Sequence, residues 1–201
     1  MSAATPTLSA YLAALPGGID ANPTFVQKAA VTHSLLQHWP GLRDHTAGLP
    51  PPLASLITAT PPSNVWIPEV HGMSLWLLAW DIHCGGDPHR FHEFSMRVNR
   101  SLLQSPMYRM VFGVLGGRLT VRTIGVAWSS FHRGVVQHLD LDGLSATIRL
   151  DFPTGLVPAA LAPSYAAAYQ AGLEVAGIAD ARVTMVDVGP TRIHYSVAWQ
   201  S

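Results

Sequence analysis

From Ser164 to Trp199 the chain reads as one helix followed by one β-hairpin, and this closing pattern limits what the rest can fold into. The helix runs from Ser164 to Ala176 and stops at Gly177. Residues 181–188 and 192–200 then form two strands about Gly189-Pro190. In the second strand Ile193, Tyr195, Val197 and Trp199 take one side, and Arg192, His194, Ser196, Ala198 and Gln200 take the other. Side chains alternate along a strand, so apolar residues at period two mark one buried and one solvated face. Such a face needs a covering layer, and the earlier helices are expected to supply it.

The same alternation occurs upstream. Leu144, Ala146, Ile148, Leu150 and Phe152 alternate with Ser145, Thr147, Arg149 and Asp151, after a turn at Asp140-Leu141-Asp142-Gly143. Leu119 to Arg133, rich in Val, Ile, Thr, Trp and Phe, is expected to be the strand before that turn. With 153–163 as a loop, the second half has the order ββαββ. The first half is helical. Asn22-Pro23, Asp87-Pro88 and Ser105-Pro106 each place a capping residue before a proline at the first helical position. Phe25, Ala29, Leu36 and Trp39 stripe the first of these helices, which ends at Pro40-Gly41. Pro68-Glu69 opens a helix that is apolar nearly all round, through Val70, Met73, Trp76, Leu77 and Trp80, and is therefore central. It ends at His83-Cys84-Gly85-Gly86; the helix after Asp87-Pro88 runs to about Gln104, and that after Ser105-Pro106 to Gly116-Gly117. The proline-bounded 40–64 stretch is a rigid surface connection with two helical turns at Leu53 to Ala59. The expectation is one α+β domain over 1–201: a weakly structured 1–21 with a short helix at Leu8 to Leu15, a helical part 22–117, and a ββαββ part 118–201. Its helices pack on a four-stranded antiparallel sheet.

Composition narrows the function classes. Charged residues are 12% and the formal net charge is zero, with one lysine against eleven arginines. The arginine excess matches a bias toward Ala, Gly, Pro and Arg, and a neutral chain is a poor partner for nucleic acid. A weakly charged surface is poorly protected against association, so a homo-oligomer is expected. One cysteine, Cys84, rules out an internal disulfide. The opening residues carry no basic and apolar signal pattern, and the longest apolar run, near Leu75 to Trp80, is far short of a bilayer span. A soluble, cytoplasmic protein is expected.

Ten histidines are the notable chemical feature. His83, His89 and His92 cluster about Cys84 and Asp87, with His89 and His92 on one helical face. Such a set can bind zinc or another transition metal, or serve a His/Cys-dependent enzyme. It can equally be surface histidine at a helix start. His92-Glu93 begins the zinc-protease pattern, but Met96 stands where the second histidine is needed. No nucleophile elbow or phosphate-binding glycine loop is present. Trp76, Trp80, Tyr108, Phe112, Trp128 and Phe131 fall on elements that enclose the space between helices and sheet. They read either as plain core or as the lining of a small-molecule pocket.

The ending Tyr165-Ala-Ala-Ala-Tyr169-Gln-Ala-Gly172-Leu-Glu-Val-Ala-Gly177, with the final strand Ile193-His-Tyr195-Ser-Val197-Ala-Trp199, resembles the C-terminal signature of an uncharacterised domain family common in myxobacteria. That family is distantly similar to the H-NOX fold and the 4-vinyl-reductase (TRAPP-like) domain. The resemblance covers about residues 64–200 and implies helices first, then a sheet interrupted by a helix, with a cavity between them. It does not carry the haem chemistry. The helix expected at Ser105 to Leu115 has no histidine to ligate iron, and Asp151-Phe152-Pro153-Thr154-Gly155 stands where the Y-x-S-x-R propionate clamp should be. Haem bound in the H-NOX manner is therefore not expected, and no other cofactor is indicated. What the resemblance implies is a sensory or signalling domain that holds a small apolar molecule. The lining expected is Trp76, Trp80, Tyr108, Phe112 and Trp128, with His83 at the mouth. A metal- or His/Cys-dependent enzyme using His83, Cys84, His89 and His92, and a structural dimerisation module, are the alternatives.

Overall fold

Among the described residues two antiparallel sheets organise the chain, one of four strands and one of three. The computed structural model describes residues 5–106, 108, 128–178 and 180–200. The larger sheet has β4 (Val136–Asp142), β5 (Ser145–Asp151), β6 (Arg182–Val188) and β7 (Arg192–Ala198), in the order β4-β5-β7-β6. Helix α6 (Ala162–Val175) lies between β5 and β6 in sequence. The inner face is set by alternation: Ala146, Ile148 and Leu150 of β5 and Ile193, Tyr195 and Val197 of β7 are all buried. Full burial of each large apolar side chain contributes roughly 1.5–3 kcal/mol, so this face is a principal source of cohesion. Ile148 opposes Tyr195 directly, and the Tyr195 hydroxyl donates to the Ala162 carbonyl (2.8 Å), tying the sheet to the start of α6.

Above the sheet sit α5 (Pro88–Leu103) and α6, packed on each other. Asp87 caps α5 as its Asp-Pro pattern predicts, its carboxylate accepting from the backbone N–H of His89 (2.8 Å) and Arg90 (3.0 Å). Arg100 of α5 and Glu174 of α6 close the pair with a 2.7 Å contact. Helix α4 (Glu69–Leu78), extended by a π-helical turn at Ala79–His83, is buried on nearly every side, as its unbroken apolar sequence requires.

The small sheet was not legible in local signals. Its strands are β1 (Val26–Lys28), β2 (Trp66–Pro68) and β3 (His132–Arg133), in the order β2-β1-β3. The expected helix from Asn22-Pro23 does not form there: Asn22 adopts a positive φ of 51° and the chain enters β1, so that α2 begins only at Ala29 and ends at His38. The reason is a reciprocal arrangement. Ala29 and Ala30 donate their N–H groups to the Val65 and Ser63 carbonyls, and Glu69 donates its N–H to the Phe25 carbonyl (2.7 Å). The residues leading into each strand thus satisfy orphan donors at the start of the helix that follows the other.

One further expectation is corrected. The strand expected over Leu119 to Arg133 lies mostly outside the described residues. Its described end is a helical turn at 128–131, followed by β3, which joins the small sheet. The strand pairing with β5 is β4, whose Val136 and Leu141 are exposed and gave no clean alternation. The short helix expected at Leu8 to Leu15 is α1 (Pro6–Ala14), with Leu8, Tyr11, Leu12 and Leu15 buried. Thr7 and Leu8 donate their N–H groups to the Asp81 carboxylate (3.0 and 3.1 Å), so a distant side chain supplies the missing cap. The helix expected from Ser105-Pro106 is described only at its first turn, where Tyr108 is buried. Helix α3 (Pro51–Thr58) fills the proline-bounded stretch. Among the described residues no helix is long and apolar enough to cross a membrane.

Candidate functional site

A pocket of about 90 Å³ lies where α4, α5, α6, the 128–131 turn and the small sheet meet. Its walls are mostly apolar, with Met73 and Trp76 from α4, Leu102 and Leu103 from α5, and Trp128 and Tyr169 among those opposite. Its polar groups are Gln27 and His132 from the small sheet, Asn99 from α5, and Ser164, Tyr165 and Tyr169 from α6. Gln27 is the middle residue of the central strand and pairs across to Ile67 on one side and His132 on the other. Cross-strand partners project to the same face, so Gln27 and His132 reach the pocket together.

Gln27 is 1% exposed, yet neither its Oε1 nor its Nε2 has a hydrogen-bond partner among the described residues. Its seat is Gly72. A Cβ on that helical glycine would coincide with Gln27 Nε2, so only the missing side chain lets the amide lie against α4.

His132 is fixed from two sides. Its Nδ1 lies 3.1 Å from Glu69 Oε1 and 3.3 Å from Oε2, and its ring stacks on Trp128 at 4.1 Å with an 18° interplanar angle. Glu69 is fully buried in the first turn of α4. The contact with the imidazole gives the buried carboxyl a hydrogen-bonding partner, which is what makes its burial tolerable here. Trp128 is held in turn by donation from its indole N–H to the Val135 carbonyl (3.0 Å). Two phenols of α6 also line the pocket. The Tyr165 hydroxyl reaches Met73 Sδ at 3.7 Å, and the Tyr169 hydroxyl has no partner among the described residues. Burial, reinforced by the Glu69 charge, pushes the Tyr165 phenol far up; burial, with Tyr195 beside it, does the same for Tyr169. Both remain protonated hydrogen-bond donors at neutral pH.

The residues singled out from the sequence scatter. Trp76 and Trp128 line the pocket. Tyr108 lies against Phe131, itself a lining residue, with ring centroids 4.4 Å apart and the rings tilted by 36°. Trp80 packs edge-on against Phe91 at 5.2 Å, away from the pocket. His83 sits between Trp39 (5.3 Å) and Phe94 (4.7 Å), and burial, then Arg97 and Arg90, lowers its pKa. Phe112 lies outside the described residues. His89 is exposed and 3.7 Å from Glu93, His92 is exposed, and Cys84 is buried, with its thiol pushed up chiefly by that burial. The structure does not bring His83, His89 and His92 together, and no group of three or more His, Cys, Asp or Glu among the described residues is placed to hold a metal.

Gln27, Glu69, His132, Tyr165 and Tyr169 were missed as site residues. Two signals were available. Glu69 opens an all-round apolar helix, so it had to be buried with a partner. Tyr165 and Tyr169 lie four residues apart on one helical face.

No protein-family model matches the chain. No curated protein matches it. Among solved structures it is similar to the Tt H-NOX domain carrying two phenylalanine substitutions, at a TM-score of 0.46 and 10% identity, over 87% of this chain and 95% of that one. So loose a likeness supports nothing about ligand or activity.

Proposed function

We propose that this chain is a non-enzymatic ligand-binding domain of sensory or signalling type, and that its site is the pocket between α4, α5, α6 and the small sheet. The observation that carries this reading is an apolar, aromatic-walled space onto which a few buried polar groups converge. Protein interiors pack to about 0.74 of their volume and leave few voids larger than a water. A space with this lining is the default form of a small-molecule site. The chemistry of the lining favours holding over reacting: the phenols stay protonated, and the Cys84 thiol, held up by burial, lies elsewhere.

We read the ββαββ succession with its covering helices as H-NOX-like in kind, on the strength of the C-terminal signature given above. A ligand touching Trp128 and His132 would bias the 128–131 turn and β3, and through β1 the starts of α2 and α4. That route gives a sensor its output. Low surface charge supports a homodimer as the working form.

The test is saturable uptake of ring-sized probes. Toluene, phenol and benzamide, followed by tryptophan emission and native mass spectrometry, should include at least one that binds one per chain. Ala168→Leu, which fills the pocket, should abolish that binding. If no probe saturates, the reading fails.

A further inference from the structure

We propose that the ligand of this pocket is a neutral, ring-sized molecule that presents a hydrogen-bond donor and an acceptor side by side, a primary amide or lactam edge, to the carboxamide of Gln27. The inference rests on the pocket being the binding site and names the class of molecule it selects.

The unpaired amide is the starting point. Buried polar groups in folded proteins are nearly always hydrogen-bonded, and each exception calls for a reason. Gln27 leaves both its donor and its acceptor unpaired at 1% exposure. No described residue pairs with it; Asn99 Nδ2 and Ser164 Oγ, which also line the pocket, donate instead to the Ser95 and Leu161 carbonyls. The neighbouring His132 Nδ1 is taken by Glu69, and the other cross-strand partner is Ile67. The amide is also accommodated by α4, because a side chain at Gly72 would displace it. A carboxamide offers one acceptor and one N–H in a single plane. Its complement is a group with the reverse pair, as when Gln pairs with two adjacent atoms of adenine.

Charge excludes the ionic candidates. The titratable lining groups are His132, whose Nδ1 is already engaged by the Glu69 carboxyl, and the Tyr165 and Tyr169 phenols, which burial keeps neutral. An anion or cation would enter with no counter-charge, at a desolvation cost the apolar walls cannot offset. A carboxylate therefore fails where the isosteric amide succeeds. Size sets the last limit. A closed cavity of about 150 Å³ takes up benzene; this pocket is about 90 Å³ but open on one side, so it holds one ring at most, with part of the ligand projecting outward. Trp76, Trp128 and Tyr169 provide flat apolar walls for that ring.

The experiment compares benzamide, benzoate and toluene on the full chain at pH 7, by calorimetry and by the side-chain NH₂ signals of ¹⁵N-labelled glutamine. Benzamide is expected to bind at least tenfold more tightly than either of the others, and to be the one probe that shifts the Gln27 NH₂ pair. Gln27→Met is expected to reduce the benzamide advantage over toluene to less than threefold. Toluene or benzoate binding as tightly as benzamide would overturn the amide-edge inference and leave the pocket reading standing. Failure of all three, with phenol also inert, would overturn both. Should Gln27→Met not fold, the ranking of probes and the NH₂ shifts on the unaltered chain decide the matter.

Discussion

Gly72→Ala should destabilise this protein although it replaces a helical glycine with the best helix former. In an ordinary helix interior that change stabilises by roughly 0.5–1 kcal/mol. Here the new methyl would coincide with Gln27 Nε2 and lie against its Cδ. Gln27 is fully buried, so the amide can move only into the pocket or by forcing α4 off β1. Overpacking of this kind costs about 1–3 kcal/mol. The net expectation is a loss of about 1–2 kcal/mol, or about 3–6 °C in melting temperature for a chain of this length. The control is the same substitution in a Gln27→Ala background. There the obstacle is gone and only the propensity gain remains, so Gly72→Ala should stabilise. The double-mutant cycle should yield a coupling of about 2 kcal/mol between residues forty-five positions apart. Urea unfolding of the four proteins, followed by tryptophan emission and circular dichroism, measures it. Equal effects of Gly72→Ala in both backgrounds would refute the placement of Gln27.

Gln27→Met should raise stability by about 1–2 kcal/mol, because it removes two buried unpaired groups at nearly constant volume; chemical denaturation without ligand reads this directly. Glu69→Ala should cost about 3–5 kcal/mol by leaving His132 without its partner beside a new cavity, while Glu69→Gln, which keeps an acceptor, should cost less. Alkaline pH should unfold the protein steeply. Tyr11, Tyr165, Tyr169 and Tyr195 all have phenol pKa values raised by burial. Their contribution is complete below the unfolded tyrosine pKa near 10 and is lost as pH rises through the folded values, because the unfolded chain releases those protons first. Four protons correspond to about 5 kcal/mol per pH unit above pH 10. Absorbance at about 295 nm should show these tyrosines ionising together with unfolding, not before it. Sedimentation at high concentration should show a dimer; a monomer throughout would remove the homodimer proposal.

How much of this was legible follows from the range of each signal. Alternation in 192–200 and 144–152 and the Asp87-Pro88 cap are local, and β5, β7 and α5 stand where those patterns put them. The small sheet is the opposite case. Val26 to Lys28 carries no strand alternation of its own and is held by Trp66 to Pro68 and by His132 and Arg133, roughly forty and one hundred residues away. Missing that sheet meant missing the site. Gln27 reads as a polar residue on a helix surface until β1 exists, and His132 has no assignable face until β3 pairs with it. The aromatic walls were visible as residues but not as a set, because Trp76 and Trp80, one helical turn apart, diverge where α4 gives way to the π-helical turn.

The histidine cluster failed for a related reason. His83, His89 and His92 are close in sequence, and density along the chain stood in for proximity in space. The turn at 84–87 and the start of α5 instead leave His89 and His92 in solvent while His83 turns inward against Trp39 and Phe94. Titratable groups gain their chemistry from burial and from partners. By that measure the notable histidine is His132, with a fully buried carboxylate at 3.1 Å and an indole stacked on its ring. Its partner Glu69 was the more informative residue in the sequence. One acid opening an otherwise apolar, central helix has to be compensated from another element, and the element that does so also brings Gln27 and Trp128 to the same pocket.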